Sequence, residues 1–239
     1  MSSSDRPSIP IARKAATIAA LARRREWPSL VRAAARRALP PGMFWANHLV
    51  IARLRSIRPV AAELGHIRVR EATGADETDC QRIHPRAEGY ADRFAAGDIC
   101  TLAYVRDRPA AIAWFQPGPC HRSAPDALEF QVGRAGCWSY WIEVHPEFRL
   151  RGAFLKLWVD SLGLLRARGI GTVYTGIEVA NRPSMNAHLR LGFEVMFHYR
   201  VLRALGVTLH RVGPPGGPAM PRWGGWRGSD PDPAAQAAG

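Results

Sequence analysis

The chain has 239 residues, 47% of them hydrophobic and 22% charged, which suits one ordinary globular domain with extensions and excludes a disordered or collagen-like polypeptide. Two full domains would be a tight fit. The formal charge of +13 is uneven, because Met1 to Gly65 holds 12 Lys and Arg against 3 Asp and Glu and so carries +9 of it; such a flank can attract anionic lipid, nucleic acid or an acidic protein, or can simply reflect drift toward Arg and Ala.

Residues Ile11 to Arg25 and Ser29 to Leu39 are rich in Ala, Leu and Arg and read as two short basic helices, punctuated by Trp27-Pro28 and Pro40-Pro41-Gly42. The apolar run Ala15 to Ala22, closed by Arg23-Arg24-Arg25, is far short of the roughly 18 residues of a membrane span. No convincing signal-peptide cleavage region follows, although an Arg-rich, acid-poor start can imitate an organellar transit peptide. Met43 to Leu54 mixes apolar residues with Arg53 and is expected either to pack on the domain or to lie at a membrane surface; its periodicity does not decide.

From His66 the pattern becomes strands alternating with helices. Ile67 to Arg70 alternates as a half-buried strand, and Asp76 to Ile83 reads as a helix. Ile99 to Val105 and Ala110 to Pro117 form a hairpin across Arg106-Asp107-Arg108-Pro109. Cys137 to Val144 is an aromatic strand, and Gly152 to Arg168 is a helix with Leu155, Leu157, Trp158, Leu162 and Leu165 on its apolar positions. Gly169-Ile170-Gly171 stops it, and Thr172 to Val179 is the next strand, completing a βαβ crossover. Ser184 to Leu191 is a last helix, and Phe193 to Leu202 returns as a strand. The sum is an α+β sandwich on a mixed sheet. The division expected is a basic, helical extension over 1–65, one domain over 66–211, and a disordered Gly- and Pro-rich tail over 212–239 in which Trp223 and Trp226 dock locally.

Cys80, Cys100, Cys120 and Cys137 have no C-x-x-C spacing and are expected as free thiols in a reducing cytosol. Gly118-Pro119-Cys120-His121 reads as a loop rather than a metal site, since no further ligands stand at suitable spacing.

The segment with readable chemistry is Val144-His145-Pro146-Glu147-Phe148-Arg149-Leu150-Arg151-Gly152-Ala153-Phe154, which leads from a strand end into a helix. Such a junction offers unpaired amides and a dipole suited to an anion. Arg149 and Arg151 add positive charge, and Gly152 lets a phosphate approach the main chain. Further on come Asn181-Arg182-Pro183-Ser184, His188 and Leu191-Gly192-Phe193, at a second strand-to-helix junction. Together the two stretches resemble the GNAT superfamily of N-acyltransferases, with V-x-P-x-x-R-x-x-G-x-[GA] for the coenzyme A loop and N-x-x-S/A-x-x-x-[YH]-x-x-x-G-F after it. The resemblance covers Ile67 to Leu202.

It implies a GNAT-like sheet, mixed but mainly antiparallel, flanked by helices, and transfer of an acyl group, acetyl first among them, from acetyl-CoA or another acyl-CoA as co-substrate, with no metal. Backbone groups near Ile142 and Val144 would pair with the pantetheine arm. Amides of Arg149, Leu150, Arg151, Gly152, Ala153 and Phe154 would hold the pyrophosphate, Asn181 would lie beside the thioester, and Ser184 would cap its helix. The pattern is departed from at two positions. Phe154 stands where the family has Gly or Ala, so its ring must point away from the cofactor or line its edge. His188 stands where many members have a Tyr thought to protonate the leaving thiolate, a role imidazole can also serve.

An alkylamine is mostly protonated at neutral pH, so a base is useful. Glu143 and Glu178 are the candidates, with His145 third; Glu143 and His145 share a strand face with Trp141, opposite Ile142 and Val144. The acceptor is expected to be a small-molecule or protein amine, bound by Pro85 to Ala96, Pro117 to Ala135 and the N-terminal extension. The other class of reading is a non-catalytic binding module, recruited to an anionic membrane or nucleic acid by the basic flank. Nucleic acid is the weaker version, because no helix-turn-helix, zinc-finger or aromatic RNA-binding signature is present. An acyl carrier protein is an alternative donor. The expected setting is cytoplasmic, peripheral to a membrane if the flank recruits it there.

Overall fold

The computed structural model describes residues 43–56, 64–214 and 222–230, together with Ala34. The expected basic helices at 11–25 and 29–39 lie outside these residues, apart from Ala34. In chain order come β1 (Phe44–Leu54), β2 (Ile67–Ala72), α1 (Glu77–Ile83), α2 (Ala91–Ala95), β3 (Ile99–Val105), β4 (Arg108–Pro117), β5 (Cys120–Ser123), β6 (Leu128–Gln131) and β7 (Gly136–Val144). Then follow α3 (Ala153–Ala167), β8 (Thr172–Glu178), α4 (Arg182–Leu191), β9 (Glu194–Ala204), β10 (Val207–Gly213), β11 (Arg222–Trp223) and β12 (Trp226–Ser229).

Nine strands form one sheet in the order β11-β10-β9-β1-β8-β7-β4-β3-β2, and β12-β6-β5 form a second. In the large sheet only β7 and β8 run parallel, joined through α3. That helix follows its apolar spacing: Ala153, Leu157, Trp158, Ser161, Leu162 and Leu165 are buried along one stripe. Burial of each large side chain contributes about 1.5–3 kcal/mol. Ser161 has a partner in Thr101, hydroxyl to hydroxyl at 2.7 Å, so neither polar group is stranded. The helix stops at Gly169, whose φ of +79° lets Ile170 N–H return to Leu165 O. One sheet face packs against α3 and Leu191 of α4, and the other against α1 and, further along, the three-stranded sheet.

Three expectations give way to the structure. Residues 43–54, placed in the extension, form β1 in the interior of the sheet, antiparallel to both β8 and β9. Its burial is nearly continuous, so the period-two signal of a one-sided strand is erased. Its polar residues are matched: Asn47 Nδ2 donates to Asp126 Oδ1 at 2.9 Å and Arg53 forks onto Asp230 at 2.9 and 3.0 Å. Within residues 117–135, expected to help bind the acceptor, Cys120 and His121, read as loop, instead open the β5–β6 hairpin, where Phe130 packs on Trp138 and Tyr174. On the C-terminal side, residues 207–213 and 222–229 contribute strands rather than coil; Asp230, buried and bonded by Arg53 and by Tyr174 O–H at 3.1 Å, fastens the end of β12.

Smaller differences are at element ends. The β3–β4 loop is only Arg106-Asp107, both in the left-handed region, so β4 starts at Arg108. The four cysteines are free thiols; Cys80, Cys100 and Cys137 are buried. No helix among the described residues is long and apolar enough to cross a membrane.

Candidate active site

The parallel pair is short. β7 and β8 are in register from Gly136↔Thr172 to Ser139↔Thr175, and there the pairing ends although both strands continue. Two local features accompany the parting. Thr175 Oγ1 donates to Ser139 O at 2.9 Å, which closes the last pair. On the other side of β7, Trp114 faces Trp141 and Phe115 faces Ser139, so Tyr140 is an extra residue, a bulge that bends and twists the strand. Beyond it, residues 140–144 are only partly buried although β7 is interior in the sheet order, as the wall of a cleft should be.

The direction of the main chain follows from one bond. His145 N–H donates to Ala110 O at 2.8 Å, on β4, so by alternation the main-chain groups of Ile142 and Val144 point away from β4 and into the gap. Their side chains pack toward the α3 face, while Glu143 and Trp141 lie on the opposite face, as the alternation of the strand requires. On β8, Tyr174 and Gly176 face that opposite side, which puts Glu178 on it too. Glu143 and Glu178 therefore stand on the same face, on the two walls of the gap.

Glu143 is the more enclosed of the two. Its Oε2 lies 3.0 Å from His84 Nδ1, with the side chains only 11% and 13% exposed, whereas Glu178 is exposed at its strand end. The His84 ring lies 4.3 Å from the Trp141 ring, and Trp141 Nε1 is buried without a hydrogen-bond acceptor. His84 was missed in the sequence: it follows α1 directly, and 59 residues separate it from Glu143. His145, the third candidate, is elsewhere, its ring against Phe148.

At the end of β7 the chain passes through a 3₁₀ turn, Pro146–Phe148, whose Glu147 is bonded to Arg108 at 2.6 and 2.7 Å; that guanidinium holds the carboxyl below its usual range. Arg149 is extended and its Nε reaches Val144 O at 3.4 Å. Leu150 adopts φ +62° and is fully exposed, and Gly152 adopts φ +80° as the N-cap of α3. Gly152 contributes no capping side chain, and the first bond of the helix is Lys156 N–H to Gly152 O at 2.9 Å. The amides of Ala153, Phe154 and Leu155 precede it and have no intrahelical acceptor. The glycine has a second cause besides approach of a ligand: a Cβ there would run into Leu64 Cδ2.

The second junction is arranged differently from the expectation. The cap of α4 is Asn181, whose Oδ1 accepts from Ser184 N–H at 3.3 Å; Ser184 is the capped residue, three positions into the helix. An Asn side chain reaches the third amide naturally, and Pro183 in the first turn needs no partner for an amide it lacks. His188 is also differently placed. It is buried, its Nδ1 lies 2.7 Å from Ser184 O, and Phe154, Trp158 and Phe193 surround the ring at 4.9 to 5.7 Å. Burial lowers its pKa, the bond to Ser184 opposing, so at neutral pH it is a neutral imidazole with its Nδ1–H already committed. Phe154 turns inward to meet it at 5.3 Å, edge to face, and so links the start of α3 to the last turn of α4.

No protein-family model and no curated sequence matches the chain. Solved structures to which it is similar include the ribosomal-protein-S18-alanine N-acetyltransferase of Escherichia coli, with 17% identity over 54% of this chain and 77% of that one and a TM-score of 0.40. An acetyltransferase of the GNAT family from Colwellia psychrerythraea is 13% identical over 67% of this chain and 56% of its own, with a TM-score of 0.48. The aminoglycoside N-acetyltransferase AAC(6')-Iy, solved in complex with CoA, is 19% identical over 53% and 91%, with a TM-score of 0.39. These likenesses are distant, and the reading of the site rests on its own geometry. A mainly antiparallel sheet with one parallel pair, joined through α3 and parted at its carboxyl ends, gives the chain a GNAT-like α+β fold.

Proposed function

We propose that the protein is an N-acyltransferase that moves an acyl group, acetyl in the simplest case, from acyl-CoA to a primary amine. The observation that carries this reading is the parting of β7 from β8 after Ser139 and Thr175, with main-chain groups of Ile142 and Val144 turned into the gap. An extended pantetheine arm suits such an edge, because amide groups spaced along it can pair with a strand as another strand would. The uncapped amides of Ala153, Phe154 and Leu155, with exposed Arg149 and Arg151 beside them, suit its pyrophosphate. Asn181 follows β8, the other wall of the gap, by three residues and is assigned to the pantetheine and thioester end of the site.

The donor supplies an activated carbonyl, and this chain's residues then have three tasks. The Val144 N–H polarises the thioester oxygen as charge gathers on it. Glu143, directly or through one water, takes a proton from the bound ammonium so that the free amine attacks; the adduct's second N–H proton passes to water as the thiolate leaves, and His84 Nδ1 at 3.0 Å fixes the carboxylate. Phe154, packed on His188 of α4, closes the floor at the start of α3 and keeps water from the thioester. The neutral, buried His188 thus serves packing, and the thiolate leaves without a proton from it.

Isothermal titration of the full chain with acetyl-CoA and with longer acyl-CoA donors tests the reading; saturable binding of at least one is expected, and heat from none of them overturns it. Glu143→Gln should keep donor affinity and lower kcat by about 10²- to 10⁴-fold at pH 7, with partial recovery at alkaline pH, where the amine deprotonates unaided. An unchanged kcat in this variant would remove Glu143 from the chemistry.

A further inference from the structure

The sheet face formed by the outer end of β1, β9, β10 and β11 presents apolar side chains that no described element covers. Strand register aligns them in rows: Trp223, Leu209 and Leu202 in one, ending at buried Ala46, and Val207, Ala204 and Phe44 in the next. Directly opposed residues share a face, so these rows are contiguous. Leu202, Val207 and Trp223 are 41%, 46% and 76% exposed, and Met43 and Leu205, joined by Leu205 N–H to Met43 O at 3.1 Å, add 48% and 82% at the hairpin tip. The adjoining row is Arg211, Arg200 and His48. On this face the register places Arg200 and Arg211, whereas Arg203 and Arg222 stand on the opposite face and Arg53 pairs with Glu194 and Asp230 there.

Leu205 is the telling residue. The β9–β10 loop is only Leu205-Gly206, at φ +50° and +80°, a geometry that favours Asn-Gly and disfavours a Cβ-bearing apolar residue. Folding alone selects against Leu there, on conformation and on exposure. We propose that this face docks on an anionic phospholipid bilayer, with Leu205, Val207, Met43 and Trp223 entering the acyl-chain boundary and the Arg row meeting phosphates. Exposed aliphatic side chains beside a basic row match lipid better than nucleic acid, whose backbone gives aliphatic groups nothing to bury against. Residues 1–42, which bring 9 Lys and Arg against 2 Asp and Glu, end at Met43 beside the same tip and add to the attraction. The inference stands independently of the acyltransfer reading.

Flotation of the full chain with vesicles of phosphatidylcholine, alone or mixed with phosphatidylglycerol, is the test. Binding should need the anionic lipid and weaken with salt. Leu205→Asn and Trp223→Ser should each lower the partition coefficient roughly tenfold, as expected for loss of one buried apolar side chain. Leu205→Asn should also melt no lower than the wild type, which separates docking from folding. Absence of binding to mixed vesicles overturns the proposal, as does binding that both variants retain, since the basic flank alone would then explain it. A wild-type dimer in sedimentation equilibrium that Leu205→Asn dissociates also overturns it, giving the face to a second copy.

Discussion

Helices α3 and α4 each begin near the end of a strand of the parallel pair, yet their first turns are completed in opposite ways. At α4 the chain closes its own end: Asn181 accepts the Ser184 amide and Pro183 removes a donor. At α3 it does not, because Gly152 has no side chain to fold back and the flanking Arg149, Leu150 and Arg151 stand in solvent. A self-capped end needs no ligand, while an open one retains its amides and the positive end of its dipole for whatever anion arrives. Sequence motifs gave both junctions a binding role; the structure caps the start of α4 with Asn181 and leaves the start of α3 without a side-chain cap.

The comparison breaks most sharply at Gly152. Gly152→Val forces a β-branched residue to φ +80° and a Cβ into Leu64, so acyl-CoA affinity should fall at least tenfold, roughly the 1–2 kcal/mol of a left-handed L-residue, with a lower melting temperature. Wild-type affinity in calorimetry would show that the open end is not where the ligand binds. A second test uses pH. Burial lowers the pKa of His188, which joins the two helices, and lowers that of His121 from 6.5 to about 4. Both are bases held neutral in the fold, so the unfolded chain binds more protons below about 6.5 and stability is lost as pH falls from there toward 4. The loss should be on the order of 1–3 kcal/mol by urea titration at pH 7 and pH 5, and smaller in His188→Gln.

Next in size, Asn181→Ala should cost about 1 kcal/mol of stability, and Asn181→Asp, which keeps a capping oxygen, little or none. Equal stability of all three would remove the distinction drawn between the helix starts. The smallest effects belong to the exposed cations: Arg149→Gln and Arg151→Gln should each weaken acyl-CoA binding by roughly two- to fivefold at low salt, with the deficit vanishing at high salt.

The crossover β7-α3-β8-α4 was legible because glycines punctuate it and α3 has a clean apolar stripe; its predicted bounds differ from the observed ones by no more than two residues. The bulge at Tyr140, which accompanies the cleft, leaves no mark in composition, since only its pairing with β4 defines it. The Glu143–His84 contact is a tertiary event between residues that local pattern cannot relate. The resemblance implied Ser184 as the cap, but two residues able to cap stand three apart and the first, Asn181, followed by Pro183, takes the position. β1 failed for the opposite reason to a weak strand: buried on both faces, it lost the alternation by which a strand is read.

That inserted strand also sets a timetable for synthesis. β1 leaves the ribosome early, carrying Leu49, Val50 and Ile51, yet its neighbours β8 and β9 begin only at Thr172 and Glu194. At about 5–20 residues per second the strand waits roughly 6–25 s with both edges unpaired. During that interval it is a template for any other extended chain. A truncated protein that starts at His66 avoids the wait but leaves β8 and β9 with a missing neighbour, and aggregation rather than activity is its expected fate.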